Sequence, residues 1–280
     1  MLFTGEVIRS RQNKNIVELC KLTDRKAREA TKTFRFDGIK LLEEAIRNDV
    51  EICAVFLASS AQERVLGGLR KRFGESYENR IEKCLIVSDD VFDKISEEKS
   101  PEGVITIAKY IDKLQKNATI YNSVHFLQDK NESIVLLESV RDPSNVGAII
   151  RSAAAIGIDR LILSADCADI YHPKAVRGSM GTLFNQRIDR VEDLAATIKE
   201  LRESGRRVFA AALDERALSL GDFEIHAGDA VVIGNEGHGL SQEVIDACGN
   251  SVIIPMSERA ESFNAAVAAS ILMWEFAKGK

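Results

Sequence analysis

Three short stretches hold the side chains able to do chemistry. The first, Glu138-Ser-Val-Arg-Asp-Pro-Ser-Asn-Val-Gly-Ala-Ile-Ile-Arg151, sets Asn145, Gly147 and Arg151 at the mouth of an apolar helix that follows a buried-looking strand. Asn145 and Arg151 are six apart and do not share a helix face, so the Asn can finish the loop while the Arg reaches from the second turn. Such a strand-turn-helix presents polar groups at the carboxyl edge of a parallel sheet, where ligands bind. The second, Val231-Val-Ile-Gly-Asn-Glu-Gly-His-Gly-Leu-Ser241, runs an apolar strand into a loop whose Gly234, Gly237 and Gly239 let backbone approach a ligand closely. Glu236 sits at its tip. A plain strand-to-helix turn capped by Ser241, with Glu243 in the first turn, explains this stretch equally well. In the third, Val252-Ile-Ile-Pro-Met256 is a strand and Ser262 or Asn264 opens an apolar helix; either could be a simple N-cap.

Other chemistries lack their signatures. No GxGxxG follows a strand and no GxxxxGK[ST] occurs, so ordinary dinucleotide and nucleoside-triphosphate sites have no phosphate cradle. His125, His172, His226 and His238 are scattered without metal spacing, and the five cysteines (20, 53, 84, 167, 248) include no CxxC pair. No metal site is expected, and the thiols read as small core residues in a reducing compartment. The amino terminus lacks a signal-peptide core, and the longest apolar stretch, Ala265–Trp274, is too short to span a membrane. Cytoplasmic residence follows as an expectation, with no membrane partner. Trp274 reads as a packing or interface anchor.

The net charge of −5 excludes a uniformly basic nucleic-acid binder, but it hides an asymmetry. Residues 1–40 carry ten Lys/Arg against five acids, a net of +5 that leaves −10 on the remainder. A basic leading segment on an acidic body suits a localised polyanion contact; a solvated helix surface is the plainer explanation.

Periodicity places the elements that must carry these stretches. A helix is predicted over 12–33, strands at 34–36, 52–57, 83–87 and 103–108, and helices at 39–47, 61–73 and 89–95, an α/β domain. Residues 111–132 are polar and irregular and read as a linker. From 134 onward, strands 134–137, 160–164, 207–213, 230–234 and 251–255 alternate with helices 145–156, 191–203, 240–247 and 263–277, with a helix or turn near 172–180. Nearly all-apolar strands in this rhythm imply a mostly parallel sheet covered on both faces.

Taken in order, Asp142-Pro-x-Asn-Val-Gly-x-Ile-Ile-Arg151, Gly234-Asn-Glu-Gly-x-Gly-Leu-Ser241 and Ile254-Pro-Met…Glu261-Ser-x-Asn264 resemble the motifs of the SpoU (TrmH-type) branch of the SPOUT RNA methyltransferases. His172-Pro-Lys-Ala-Val-Arg177-Gly-Ser179-Met-Gly181 is similar to the stretch between the first two motifs. Ser10-Arg11…Ile16, Phe36-Asp-Gly-Ile-Lys-Leu-Leu-Glu-Glu-Ala45 and Pro101-Glu-Gly103 resemble, more loosely, the L30e-like substrate-binding domain that often precedes this module. Phe263 stands where Leu is usual and Glu258 where Gly is frequent.

The resemblance implies an RNA-binding domain over 1–110, a linker over 111–132 and a methyltransferase domain over 133–280 whose sheet ends in a trefoil knot. It implies S-adenosylmethionine as cofactor, held by Gly234, Asn235, Glu236, Gly237, Gly239, Ile254, Met256, Ser262 and Asn264. The reaction implied is methyl transfer to a ribose 2′-hydroxyl, with Arg151, Asn145, Glu236, Ser262 and Asn264 as the catalytic set. Positive charge on sulfur disappears in that step, so placement and activation of a weak nucleophile are what the protein must supply. RNA contacts are expected at Arg9, Arg11, Lys14, Arg25 and Lys26, and at Arg177 and Ser179, which could instead face the second subunit of a homodimer. Structured RNA, ribosomal in preference to transfer RNA, is the expected partner. A transfer-RNA enzyme, a non-catalytic RNA-binding relative and an enzyme of a small phosphorylated metabolite are the competing readings.

Overall fold

The computed structural model describes residues 2–111, 131–214, 217–260 and 262–278. In chain order the first elements are β1 (Leu2–Ile8), α1 (Lys14–Lys21), α2 (Arg25–Thr31), β2 (Thr33–Asp37), α3 (Ile39–Arg47), β3 (Ile52–Ala58), α4 (Gln62–Phe73), β4 (Ile81–Val87), α5 (Asp89–Ile95) and β5 (Val104–Lys109). There follow β6 (Ile134–Leu137), α6 (Pro143–Ile156), β7 (Arg160–Ser164), α7 (Pro173–Ser179), β8 (Arg187–Val191), α8 (Leu194–Glu203), β9 (Val208–Ala211), β10 (Leu218–Ser219), β11 (Ala230–Ile233), α9 (Gln242–Cys248), β12 (Gly249–Ile253) and α10 (Ala265–Ala277). Most of the expected linker, residues 112–130, lies outside the described residues, as does Glu261.

Contacts divide the chain into two compact units, Met1–Ile111 with Asp169–Asn185, and Asp112–Ala168 with Gln186–Lys280. The first is built on a mixed sheet in the order β1-β4-β3-β5-β2, with β1, β4 and β3 parallel and β5 antiparallel to both neighbours. The single helix expected over 12–33 is two. Leu22 caps α1, and Asp24 starts α2 by accepting a hydrogen bond from the Lys26 amide at 2.8 Å. An Asp competes well for a helix start and poorly for a helix interior, which breaks the run there.

The segment 169–185 packs within this first unit, although the motif order assigned it to the methyltransferase domain. Asp169 binds the buried Arg28 at 2.6 Å, the pair being 1% and 12% exposed. Tyr171 packs on Phe34 with centroids 4.8 Å apart, and Phe184 on Phe36 at 5.5 Å. Gly181 adopts φ +92°, and a Cβ there would come within 2.7 Å of Glu44 Cβ. An isolated buried charge is costly, so Arg28 and Asp169 fasten this segment as a pair.

The second unit holds a seven-stranded sheet in the order β10-β12-β9-β11-β6-β7-β8, every pairing parallel. β6, β7, β9 and β11 are apolar and buried on both faces, as parallel strands under helices must be. β8 escapes the periodicity rule: no element is predicted over 187–190, and the predicted helix 191–203 overlaps the strand only at Val191. Its charges are all paired: the exposed Arg187 binds Glu132 at 3.2 Å, and Arg190 donates to the Ala165 and Cys167 carbonyls. Asp189 is fully buried against Arg160, which also binds Glu132 at 3.0 Å. No helix among the described residues is long and apolar enough to cross a membrane.

Candidate cofactor and active site

Because β11 pairs with both β6 and β9, and β12 with β9, the loops leaving β6, β9, β11 and β12 emerge side by side at the carboxyl edge of the sheet. The first loop enters α6 with Asp142 as N-cap, accepting from the Ser144 amide at 2.7 Å, and Pro143 at the first helical position. Asn145 in that first turn donates through Nδ2 to Glu236 Oε1 at 2.6 Å, and its Oδ1 accepts from Asn264 Nδ2 at 3.0 Å. One side chain thus ties all three motifs. The amide orientations are mutually forced. Asn264 Oδ1 is taken by the Ala266 and Val267 amides as the N-cap of α10, so its NH2 must face Asn145. Asn145 Nδ2 is then left for the acceptor-only carboxylate. The choice left open between Ser262 and Asn264 is settled: Asn264 caps the helix.

The loop after β11 is closed by paired backbone bonds between Asn235 and Gly239, 3.1 and 3.0 Å. Asn235 Oδ1 accepts from the Gly237 and His238 amides at 2.8 and 3.2 Å, while its Nδ2 donates to the Ser139 carbonyl at 2.8 Å. A second clip comes from Glu138, which accepts from the Ser241 amide at 2.8 Å and hydroxyl at 2.6 Å. Ser241 is also the N-cap of α9, so the structural and functional readings of this stretch hold together. Gly234 has no alternative: a Cβ there would lie 2.4–2.6 Å from the backbone of Gly239 and Leu240. Gly239 adopts φ +68°, which favours glycine.

Beside these loops lies a cavity of about 570 Å³. Gly234, Asn235, Glu236, Gly237, Gly239, Ile254, Met256 and Ser262 line it. Asn264 does not; it acts on the cavity through Asn145 and through the helix it caps. Sequence reasoning missed Ala211 at the end of β9, Ala212 and Leu213 just past it, and the apolar wall of Leu240, Phe263 and Leu272. The run 207–213 is predicted as a strand, and its carboxyl end was the available signal.

Arg151 stands apart. It is exposed, lines no part of this cavity, and makes no hydrogen bond or ion pair among the described residues. Of the expected RNA contacts, Arg9, Arg11, Lys14, Arg25 and Lys26 are exposed, Lys14 and Arg25 pairing with Glu18 and Glu29 one helical turn on. Arg177 is exposed beside Glu98 at 3.5 Å. Ser179 is a correction: it is fully buried and its hydroxyl donates to the Val176 carbonyl at 2.7 Å, so it has no surface to offer RNA. Arg28 and Arg35 are likewise buried, which removes two of the ten leading cations from the surface. Cys84, Cys167 and Cys248 are buried, and burial pushes the Cys248 thiol up to about 12, the mark of an inert structural cysteine.

The Asn145 junction makes a direct prediction. Asn145→Ala removes the one side chain joining Glu236 to Asn264 and leaves two polar groups unpaired. A loss of about 1–3 kcal/mol in cofactor binding, roughly 5–150-fold, is expected by calorimetry. Asn145→Asp, which places a second carboxylate against Glu236, should do no better.

Residues 132–274 match the family model described as the SpoU rRNA Methylase family, and residues 13–106 match an MRM3-like substrate binding domain. The chain belongs to the SpoU rRNA methylase family. Over 267 residues it is 27% identical to the 23S rRNA (guanosine(2553)-2′-O)-methyltransferase RlmP of Bacillus subtilis, covering 95% of this chain and 97% of that one. An AdoMet-bound rRNA methyltransferase from Sinorhizobium meliloti superposes with a TM-score of 0.79 at 27% identity, covering 98% and 97% of the two chains. The SpoU methyltransferase AviRb from Streptomyces viridochromogenes shares the fold, with a TM-score of 0.76 over 95% of this chain and 98% of that one at 24% identity.

Proposed function

We propose that the protein transfers the methyl group of S-adenosylmethionine to a ribose 2′-hydroxyl of ribosomal RNA. The observation that carries this reading is the hydrogen-bonded set Glu236–Asn145–Asn264 at loops that line a cavity of about 570 Å³. The residues present fit the cofactor. The cavity lies in the size range of small-molecule sites, with apolar walls suited to the faces of adenine and a glycine loop whose amides and carbonyls suit its edges. The close approach of Gly234 to Gly239 keeps that loop free of side chains where a ligand must pass.

When bound, S-adenosylmethionine supplies a methyl group on a positively charged sulfur. The chain's own residues do the positioning. Asn235 and Glu138 fix the cofactor loop, Asn145 and Asn264 lock it to the first and third motifs, and Ser262 and Glu236 order the rim. Arg151 holds a phosphate beside the target ribose and orients its 2′-hydroxyl. A guanidinium is a poor proton acceptor, so the proton leaves through phosphate or water. Methyl transfer then depends mainly on alignment.

The reading includes a homodimer. Val267 and Trp274, seven residues apart on α10, are 47% and 59% exposed, an apolar stripe that a second copy would cover. Arg151, outside the cavity of its own chain, agrees with a site completed across the subunit boundary. The reading also includes a trefoil knot in the carboxyl-terminal loops, supported by β11 lying between β6 and β9 while the later β12 lies beyond β9. An L30e-like amino-terminal domain and a cytoplasmic location, where cysteines that form no disulfide among the described residues are at home, complete it.

The preference for ribosomal RNA rests on the likeness to the Bacillus subtilis enzyme and on a separate amino-terminal unit suited to a large structured substrate. Mapping 2′-O-methyl sites in ribosomal and transfer RNA from cells with and without the protein tests it. Loss of one ribosomal site is the predicted result, and loss of a transfer-RNA site alone overturns the preference. Charge reversal at Arg11 and Lys14 together is expected to weaken RNA binding. It should also lower the slope of log affinity against log salt by about 2, with cofactor affinity unchanged.

A further inference from the structure

The loop Asn235–Leu240 has a second face. A second cavity of about 390 Å³ adjoins it, lined by Glu138, Ser139, Arg141 and Ser241 and by Asn235, His238, Gly239 and Leu240 of the loop, four residues that also line the cofactor cavity. Its polar groups divide sharply into those already committed and those left open. Both oxygens of Glu138 are taken by the Ser241 amide and hydroxyl. Ser139 uses every polar group it has: its amide donates to Ser164 Oγ, its hydroxyl to Asp166 and its carbonyl accepts from Asn235. It does so at φ +54°, a conformation a non-glycine residue holds only when its surroundings over-determine it. Asp166 is occupied in turn by the Ser139 and Ser164 hydroxyls.

What remains open is cationic or aromatic. Arg141 is 70% exposed and reaches Asp166 only at 3.4 Å. The His238 ring, at the tip of the cofactor loop, makes no hydrogen bond or ion pair among the described residues, apart from the hold on its backbone amide by Asn235. A guanidinium with donors to spare beside an exposed planar ring matches a nucleotide: phosphodiester on the guanidinium, base against the ring. An apolar cofactor fragment would gain little from these walls.

The geometry points to this cavity as the seat of a nucleotide of the RNA substrate that flanks the one methylated, its phosphate held by Arg141 and its base stacked on His238. The inference rests on the proposed RNA 2′-O-methylation and extends it: the cofactor loop separates two sites and touches both. A strand whose ribose is presented at the cofactor cavity must continue past that loop, and Arg141 lines the second cavity but not the first.

The test uses the full-length protein with Arg141→Gln, Arg141→Lys and His238→Ala. RNA affinity is measured across a salt series, RNA KM and kcat by methyl transfer, and cofactor affinity by calorimetry with S-adenosylhomocysteine. Arg141→Gln is expected to weaken RNA binding about tenfold and lower the salt slope by about 1, while Arg141→Lys keeps the slope. His238→Ala should raise the RNA KM by about 5–10-fold at an unchanged slope, as loss of one stacked base does. In both Arg141 variants kcat at saturating RNA and S-adenosylhomocysteine affinity stay within about twofold of wild type. An unchanged salt slope in Arg141→Gln overturns the inference. So does a loss of S-adenosylhomocysteine affinity in Arg141→Gln with RNA binding intact, which would make the cavity part of the cofactor site. Failure of the wild-type protein to methylate RNA would instead sink the broader reading, and the salt slopes would still decide the fate of the cavity.

Discussion

Arg151→Ala is expected to lose methyl transfer by about 10³-fold while cofactor affinity stays within about twofold. The separation follows from where the side chain stands. It lines no part of the cofactor cavity, so nothing that holds the cofactor is removed. It has no hydrogen-bond or ion-pair partner among the described residues and is exposed, so stability should change by less than about 0.5 kcal/mol. What disappears is a fixed positive charge with paired donors, which matters only when RNA is present. Arg151→Lys keeps the charge and loses the fork, and should recover only part of the rate. Single-turnover transfer at saturating RNA, alongside calorimetry, measures both halves. A variant that keeps its rate, or one that loses cofactor affinity, contradicts this assignment.

Gly234→Ala has the opposite signature. Its added Cβ would sit 2.4 Å from the Gly239 carbonyl carbon and 2.6 Å from the Leu240 nitrogen, both backbone atoms that no rotamer change can move aside. The loop must open, and with it the paired bonds between Asn235 and Gly239 and the seat of Glu236 against Asn145. Overpacking of this kind costs about 1–3 kcal/mol, and more if the loop cannot relax, so cofactor affinity should fall roughly 5–150-fold or beyond. Because β11 and its neighbours are untouched, the thermal midpoint should move little by comparison. Gly237→Ala is the control. A Cβ at Gly237 meets only Asn235 Oδ1, at an ordinary 3.5 Å, so its effect should be small.

The helix and strand alternation of both units was legible because burial imposes periodicity. α3 and α5 start and stop where the apolar spacing placed them, and β6 and β7 read as continuous apolar runs. Elements failed where charge was buried. β8 hides Asp189 against Arg160, so its pattern does not alternate. The segment 169–185 joins the first unit through an Arg28–Asp169 pair that spacing cannot reveal. At the site, the three motifs named residues that line the cavity but not their wiring. Nothing local says that Asn145 rather than Ser262 meets Asn264, because the partners lie 119 residues apart and only the order of parallel strands brings them together. Leu213 in the cavity lining was invisible for a different reason. Leu213 is 85% exposed just past its strand, and single exposed hydrophobics are too common to mark a ligand. Ser179 shows the reverse error, a residue carried over with its motif into a role its burial forbids.

The central claim is that three loops at the sheet's carboxyl edge hold a sulfonium methyl donor for attack by a ribose oxygen. It is tested most directly by incubating the purified protein with methyl-labelled S-adenosylmethionine and deproteinised ribosomal RNA, then resolving the digested nucleosides. The account predicts label in a single 2′-O-methyl nucleoside, absent with Arg151→Ala and sharply reduced with Gly234→Ala. Label on a base carbon or nitrogen, or no transfer by a protein that binds the RNA, would contradict it.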